Sequence, residues 1–333
     1  MNPVQYLKKF AQNKKTGGTK YYIDCGFFSY NSKAIRESIK VNKLIRNTEE
    51  ASILQAVATE KLVNKKHRRI IVKIDRPTKY PINDKYRSFA EKEFTIGEAL
   101  KGIPGFIKFI CVFPCYDDTS NEDHNITIDR EGAPIDYNQP ICQSKTDDEN
   151  KRDVLVMPFI QDGSVATFTW NQENVGLLKH LLVQAVLSLG MAYDKIKFTH
   201  EDLHTGNLLF KPTQQHKITY SFSGSEPYEL SLEKYNKKIV IMDFGKSKTA
   251  MDTPDNKLRN FWNNIYYLCK HIDDPLTYDD YYITFELQDA LDFIRNATLN
   301  NADCSAVIAL AGIIEKSNFK TIRKAVMKYS PLP

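Results

Sequence analysis

The sequence predicts an α+β fold in two parts, a β-rich first part with one or two helices and a mostly helical second part. Three observations carry this expectation. The first part is dominated by short aromatic and β-branched runs (YYID, FFSY, RRIIVKI, FIKFICVF), the pattern of strands separated by turns. The second opens on NVGLLKHLLVQAVLSLGMAY, a long helical run apolar on most sides. The length, 333 residues, suits two domains or one domain built as two lobes.

Taken in order, the aromatic runs of the first forty residues, with Gly17, Gly18 and Gly26 beside them, read as strands with turns. In NTEEASILQAVATEKLV, Asn47 can cap and Glu50 can reach back to it. Ala51, Leu54, Ala58 and Leu62 then share one face, which predicts a helix. RRIIVKI reads as a buried strand, SFAEKEFTIGEALKGI as an amphipathic helix and FIKFICVF as a strand. Residues 117–153 are polar, acidic and rich in Asn, Asp and Pro, the composition of a long inserted loop. VLVMPFI is a strand that leads through a hinge into the long helix. NLLF, KITYSF, YELSLEKY and KIVIMDF then alternate strands with turn residues, and the last ninety residues read as mostly helical.

Composition excludes several classes. The apolar fraction of 42% is too high for a disordered chain, and six cysteines do not make a disulfide scaffold. Cys111 and Cys115 have no second Cys/His pair nearby, so a structural zinc site would lack half its ligands. The longest nearly apolar stretch, Leu181 to Tyr193, falls short of the ~20 residues a membrane span needs. No apolar core follows the N-terminus as in a signal peptide. An intracellular, soluble protein is expected. The net charge of +5 hides an asymmetry: residues 1–80 hold eighteen basic and six acidic residues, and residues 117–153 hold four basic and eleven acidic. No nucleic-acid motif accompanies the basic quarter, so nucleic acid is not expected as the main partner.

The chemistry concentrates in FTHEDLHTGNLLF (198–210) and KKIVIMDFG (237–245). Asp202 and Asn207 lie five apart on a loop between the long helix and a strand, and Asp243 ends a second strand. Oxygen ligands from adjacent strand ends suit Mg²⁺, which leaves the Asp202 carboxylate to accept a proton from an attacking hydroxyl. Phosphoryl transfer needs little more than such positioning and charge neutralisation.

On these residues the chain resembles the protein-kinase-like superfamily. The match is to the HxDxxxxN catalytic loop, His200 to Asn207, and to the DFG motif, Asp243-Phe244-Gly245. It extends over roughly residues 20 to 270 and is sharpest over 150 to 245. The resemblance implies a two-lobed fold: a small antiparallel β-rich N-lobe (1–157), a hinge (158–163) and a mostly helical C-lobe (164–333). It implies ATP and Mg²⁺ as cofactors, with Asp202 as catalytic base and Asn207 and Asp243 on the metal. Lys73, at the end of IIVK, would contact the α- and β-phosphates, with Glu93 as its ion-pair partner and Glu91 and Glu98 as alternatives. Met157 would be the gatekeeper, the Ile160 backbone would meet the adenine edge, and Gly26 would lie in the phosphate-covering loop, with Gly17-Gly18 as second candidates.

Departures from the common pattern narrow the resemblance. Glu201 stands where many protein kinases carry Arg, which argues against control by a phosphorylated activation loop. His204 stands where many Ser/Thr kinases carry a phosphate-contacting Lys, and is expected beside the transferred phosphate. DLHxGN looks more like Haspin-type kinases, small-molecule kinases of the aminoglycoside and choline kind, and Ser/Thr protein kinases of large DNA viruses, which would place the protein in a host cytoplasm or virion. A long insertion (211–237) separates Asn207 from Asp243, no APE follows, and DNKLRNFWNNIYYLCKHI begins a helix within about ten residues of the DFG motif. In that helix Trp262, Tyr266 and Tyr267 read as core. The expected activity is transfer of the ATP γ-phosphate to Ser/Thr hydroxyls of a protein substrate. A small-molecule alcohol kinase and a nucleotide-binding pseudokinase scaffold remain as alternatives.

Overall fold

Alternating burial along short strands organises the first half of the chain. A computed structural model describes residues 39–47, 51–58, 69–75, 88–116, 151–250, 258–273, 276–278, 281–285, 293, 296, 304–317 and 319–323. Among these, residues up to 101 and 107–159 form one compact unit, and residues 102–106 and those from 160 onward form another. The expected strands of the first 38 residues, with Gly26 and Gly17-Gly18, and the loop 117–150 lie outside the described residues.

The first unit is a five-stranded antiparallel sheet of order β1-β2-β3-β5-β4. Its strands are β1 (Ile39–Asn47), β2 (Ala51–Ala58), β3 (Arg69–Asp75), β4 (Cys111–Tyr116) and β5 (Lys151–Pro158). Leu54, Ala56, Ile70, Val72, Cys111, Phe113, Val154 and Val156 bury one face together. The segment expected as a helix from Asn47 is strand β2, and Asn47 itself ends β1. Ala51, Leu54 and Ala58 fit a helical face, but Leu54, Ala56 and Ala58 also fit a period of two. Pairing with β1 on one side and β3 on the other settles the conformation, tertiary context overriding local pattern. FIKFICVF is extended only from Cys111, and the acidic insertion ends where β5 begins at Lys151.

Helix α1 (Phe89–Ala99) packs against β3, β4 and β5. Ser88 caps it, accepting from Glu91 N at 3.1 Å, and its hydroxyl donates to Asp153 of β5. Asp75, at the end of β3, accepts from Ala90 N at 2.6 Å. Two strand carboxylates thus tie the positive end of the helix to the sheet. Gly97 meets the Phe109 ring where any Cβ would collide with it, so the helix can lie this close only with glycine there.

The second unit is built around helix α2 (Val175–Ile196). At 22 residues it is long and apolar enough to cross a membrane by length and composition, which corrects the shorter span read from the sequence. Most of its surface, however, is buried inside the protein, as in a core helix. Buried Gln184 donates to Lys237 O (3.1 Å) and accepts from Ile239 N (3.0 Å), satisfying a strand edge that would otherwise be unpaired. Strands β6 (Leu208–Pro212) and β9 (Lys237–Ile241) pair antiparallel, and the insertion between them carries the hairpin β7 (Lys217–Tyr220) and β8 (Tyr228–Ser231).

Beyond these lie helix α3 (Leu258–Asp273), strands β10 (Leu276–Tyr278) and β11 (Tyr281–Phe285), helix α4 (Cys304–Lys316) and β12 (Phe319–Arg323). The helices expected in this end of the chain are α3 and α4, and among the described residues β10, β11 and β12 add a three-stranded antiparallel sheet that was not expected, favoured by the β-branched and aromatic run YYITF. On α3, Trp262 is fully buried as expected, whereas Tyr266 and Tyr267 are exposed: Phe261, Ile265 and Leu268, at i, i+4 and i+7, mark the buried stripe, Trp262 lies at its edge and the two tyrosines fall outside it.

Candidate active site

The loop after α2 is fixed from both ends. Lys197 closes the helix in a left-handed conformation, and Thr199 exchanges two 2.9 Å backbone hydrogen bonds with Lys248. His200 is fully buried between the rings of Phe198 and Phe244, both edge-on to it. Its Nε2 lies 2.9 Å from Met242 O; a carbonyl only accepts, so Nε2 carries the proton. Burial holds the His200 pKa below the usual imidazole value, against the smaller raising effects of that hydrogen bond and of Asp243 and Asp202.

Glu201 adopts φ 63°, and its amide donates to Asn264 Oδ1 of α3 at 3.0 Å. Its carboxylate accepts from Thr199 Oγ1 (2.8 Å) and pairs with Lys248 Nζ (3.5 Å). The left-handed backbone at Glu201 is followed directly by Asp202, whose carboxylate is 37% exposed and lies 3.1 Å from Lys246 Nζ. The Asp202 carbonyl accepts from Asn207 Nδ2 at 2.9 Å.

His204 caps a short 3₁₀ turn, Thr205–Asn207, with Nδ1 accepting from Gly206 N at 3.0 Å. Asn207 is buried, and its carbonyl accepts from Met242 N at 3.1 Å as the β6–β9 ladder begins. That ladder sets Asn207 beside Met242, one residue before Asp243. After Lys197 and Glu201, Asp243 is the third left-handed non-glycine residue around the site, at φ 67°. Such conformations persist where surrounding structure imposes them, and they concentrate at functional sites.

Phe244 is fully buried and packs edge-on against Phe106 and Phe198. Phe106 is anchored in turn: Gly105 O accepts from Ile241 N at 2.7 Å, and Gly105, at φ 84°, lies against Ser188 with no room for a side chain. Ser247 donates from its amide to Phe244 O and from Oγ to His200 O, both at 3.0 Å.

In the first unit, Lys73 of β3 and Glu93 of α1 form an ion pair whose carboxylate end is 1% exposed. Glu98 pairs with exposed Lys101, and Glu91 sits in the first turn of α1. Met157 is buried in β5 opposite Ile71, and Ile160, buried, begins the second unit. The structure therefore gathers Asp202, His204, Asn207 and Asp243 in one unit and joins Lys73 to Glu93 in the other. Sequence reasoning missed Lys246, Lys248 and Asn264. Only the fold of the turn after Gly245 and the packing of α3 bring them to the loop, although their place just after DFG is a usable signal for the two lysines.

No family model matches the chain. Over 94 residues it is 27% identical to the uncharacterized Caenorhabditis elegans protein ZK177.2, a stretch that spans 28% of this chain and about a third of that protein (31%). Among solved structures it is similar to a chain of the CAK complex from Chaetomium thermophilum bound to ATP-gamma-S, with 13% identity, a TM-score of 0.38, and coverage of 67% of this chain and 51% of that one.

Proposed function

We propose that this chain is an ATP-dependent phosphotransferase of protein-kinase-like fold, acting on Ser/Thr hydroxyls of proteins. The observation that carries the reading is the joining of three predicted residues through one hydrogen-bonded junction. Asn207 Nδ2 binds the Asp202 carbonyl while the Asn207 carbonyl binds the residue before Asp243. The Asn207 side-chain oxygen and the carboxylate of Asp243, one residue past that junction, would offer an all-oxygen set, which suits Mg²⁺. Bound there, Mg²⁺ would supply neutralising charge for phosphate oxygens.

Asp202 faces solvent in part, as a group that meets an incoming hydroxyl must. In the proposed step the acceptor oxygen bonds to the γ-phosphorus. The bond to the β,γ-bridging oxygen breaks with its electron pair leaving on ADP, and the hydroxyl proton passes to the Asp202 carboxylate. Lys73 is the proposed contact for the α- and β-phosphates, aimed by Glu93. His204, through its cap on Gly206, holds the turn that presents Asn207. Met157 and the Ile160 backbone are the proposed adenine neighbours. DLHTGN supports a likeness to Haspin-type and large-DNA-virus kinases.

One observation favours a small alcohol as acceptor instead: α3 begins at Leu258, leaving only residues 246–257 after DFG to support an extended peptide. Radiolabelled ATP offered to a protein panel and to a panel of small alcohols decides between them. Label on proteins, lost in Asp202→Asn and Asp243→Ala, is the expected result. Label on metabolites alone removes the protein-kinase reading, and undiminished transfer by Asp202→Asn removes the mechanism.

A further inference from the structure

Phosphoryl transfer near a carboxylate poses an electrostatic problem. The base and the transferred group are both anionic, and they must come within contact distance. The catalytic loop from Asp202 to Asn207 contains no lysine or arginine. His204, the one basic residue in it, has Nδ1 committed to Gly206 N.

We infer that Lys246 supplies the missing cation, bridging Asp202 and the transferred phosphoryl group. Its ammonium lies 3.1 Å from Asp202 Oδ2. An ammonium carries three N–H donors, enough to meet a phosphoryl oxygen as well as Asp202 Oδ2, and the pairing leaves Asp202 Oδ1 toward the acceptor hydroxyl in the proposed step. The backbone that carries it is fixed on both sides. Before it, Phe244 is locked in the aromatic cluster, and after it buried Ser247 holds both Phe244 O and His200 O. The extended bridge at Lys248 then sends alternate side chains outward, so Lys246 meets Asp202 while Lys248 meets Glu201.

The Lys246 side chain is 56% exposed and Asp202 37%, so the pair adds little to stability. A half-exposed lysine on a rigid turn beside the proposed base is, however, well placed to act on charge that develops only during transfer. This inference rests on the phosphotransferase reading above.

The test uses the whole chain and two readouts. In steady-state transfer, Lys246→Ala lowers kcat by about 10²-fold, the usual loss for one transition-state donor. KM for ATP stays within about threefold, and Lys246→Arg recovers part of the rate. Independently of any acceptor, titration with MgADP plus aluminium fluoride, which mimics the transferring phosphoryl, is weakened by a similar factor in Lys246→Ala, while MgADP alone binds as in the wild type. Equal aluminium-fluoride affinity in Lys246→Ala and wild type overturns the role of Lys246. If Asp243→Ala loses that affinity in the same experiment, the phosphotransferase reading survives that result. A wild-type chain that binds neither MgADP nor the complex overturns both.

Discussion

The Lys73–Glu93 pair allows stability and activity to be separated by design. Glu93 is almost wholly buried and Lys73 is 15% exposed. Removing one partner of such a pair leaves an uncompensated charge in a low-dielectric site, at a cost of about 3–5 kcal/mol. Lys73→Met strands the Glu93 carboxylate between helix and sheet and should fall at the upper end. Glu93→Leu leaves an ammonium that can still reach water, and should cost about 3 kcal/mol. The double substitution replaces two desolvated charges by apolar groups of similar volume, and should return to within about 1 kcal/mol of the wild type. Urea denaturation of the four proteins measures the cycle, and MgATP binding is followed on the same samples. The double variant should be folded yet bind MgATP weakly, since the pair would then serve the ligand more than the fold. Single variants that each lose less than about 1 kcal/mol would refute the burial argument, and a double variant with normal MgATP affinity would refute the assigned role.

Other outcomes are equally specific. Asn207→Ala removes both the donor to the Asp202 carbonyl and one proposed metal oxygen; it should cost about 1–3 kcal/mol of stability and raise the Mg²⁺ concentration needed for half-maximal transfer. Glu201 is acidic and engages Lys248, so on the proposed reading it offers no cation to a phosphorylated segment, and protein treated with phosphatase should keep its full transfer rate. Burial, reinforced by Lys234, lowers the His180 pKa to about 4 from an ordinary value of 6.5. The unfolded chain therefore binds the proton first, and His180 contributes stability that is complete above pH 6.5 and lost as the pH falls toward 4. His180→Gln should flatten that acid limb in denaturation curves taken across the range. An unchanged slope would mean that His180 is solvated.

Features set by local spacing could be read from the sequence, and features set by partners distant in the chain could not. Asp202 and Asn207 are five residues apart on one loop, and the apolar strand before Asp243 is unmistakable, so the β6–β9 pairing that adjoins them follows from the pattern. The choice of Glu93 among three glutamates was accessible because Phe94 and Ile96 claim the neighbouring apolar positions. Strand β2 was not, since Ala51, Leu54 and Ala58 satisfy two periods at once and only β1 and β3 decide between them. The sheet β10–β11–β12 joins YYITF to a strand nearly forty residues later, across helix α4, a separation that periodicity cannot anticipate. Lys246 was marked in the sequence only by its place just after DFG, and the turn anchored by Ser247 is what gives it a direction.

The five residues from Gly102 to Phe106 carry a consequence for dissecting the protein. They belong with the second unit although the chain on either side of them belongs to the first. A fragment begun at Ile160 would therefore arrive without Gly105 and Phe106, leaving the Ile241 amide without its acceptor and a ring-sized hole beside Phe198 and Phe244. Because Asp243 sits between Ile241 and Phe244, that hole would open next to the proposed metal ligand. The second unit cannot be obtained by a single cut, and any fragment meant to hold the candidate site has to retain the turn that follows α1.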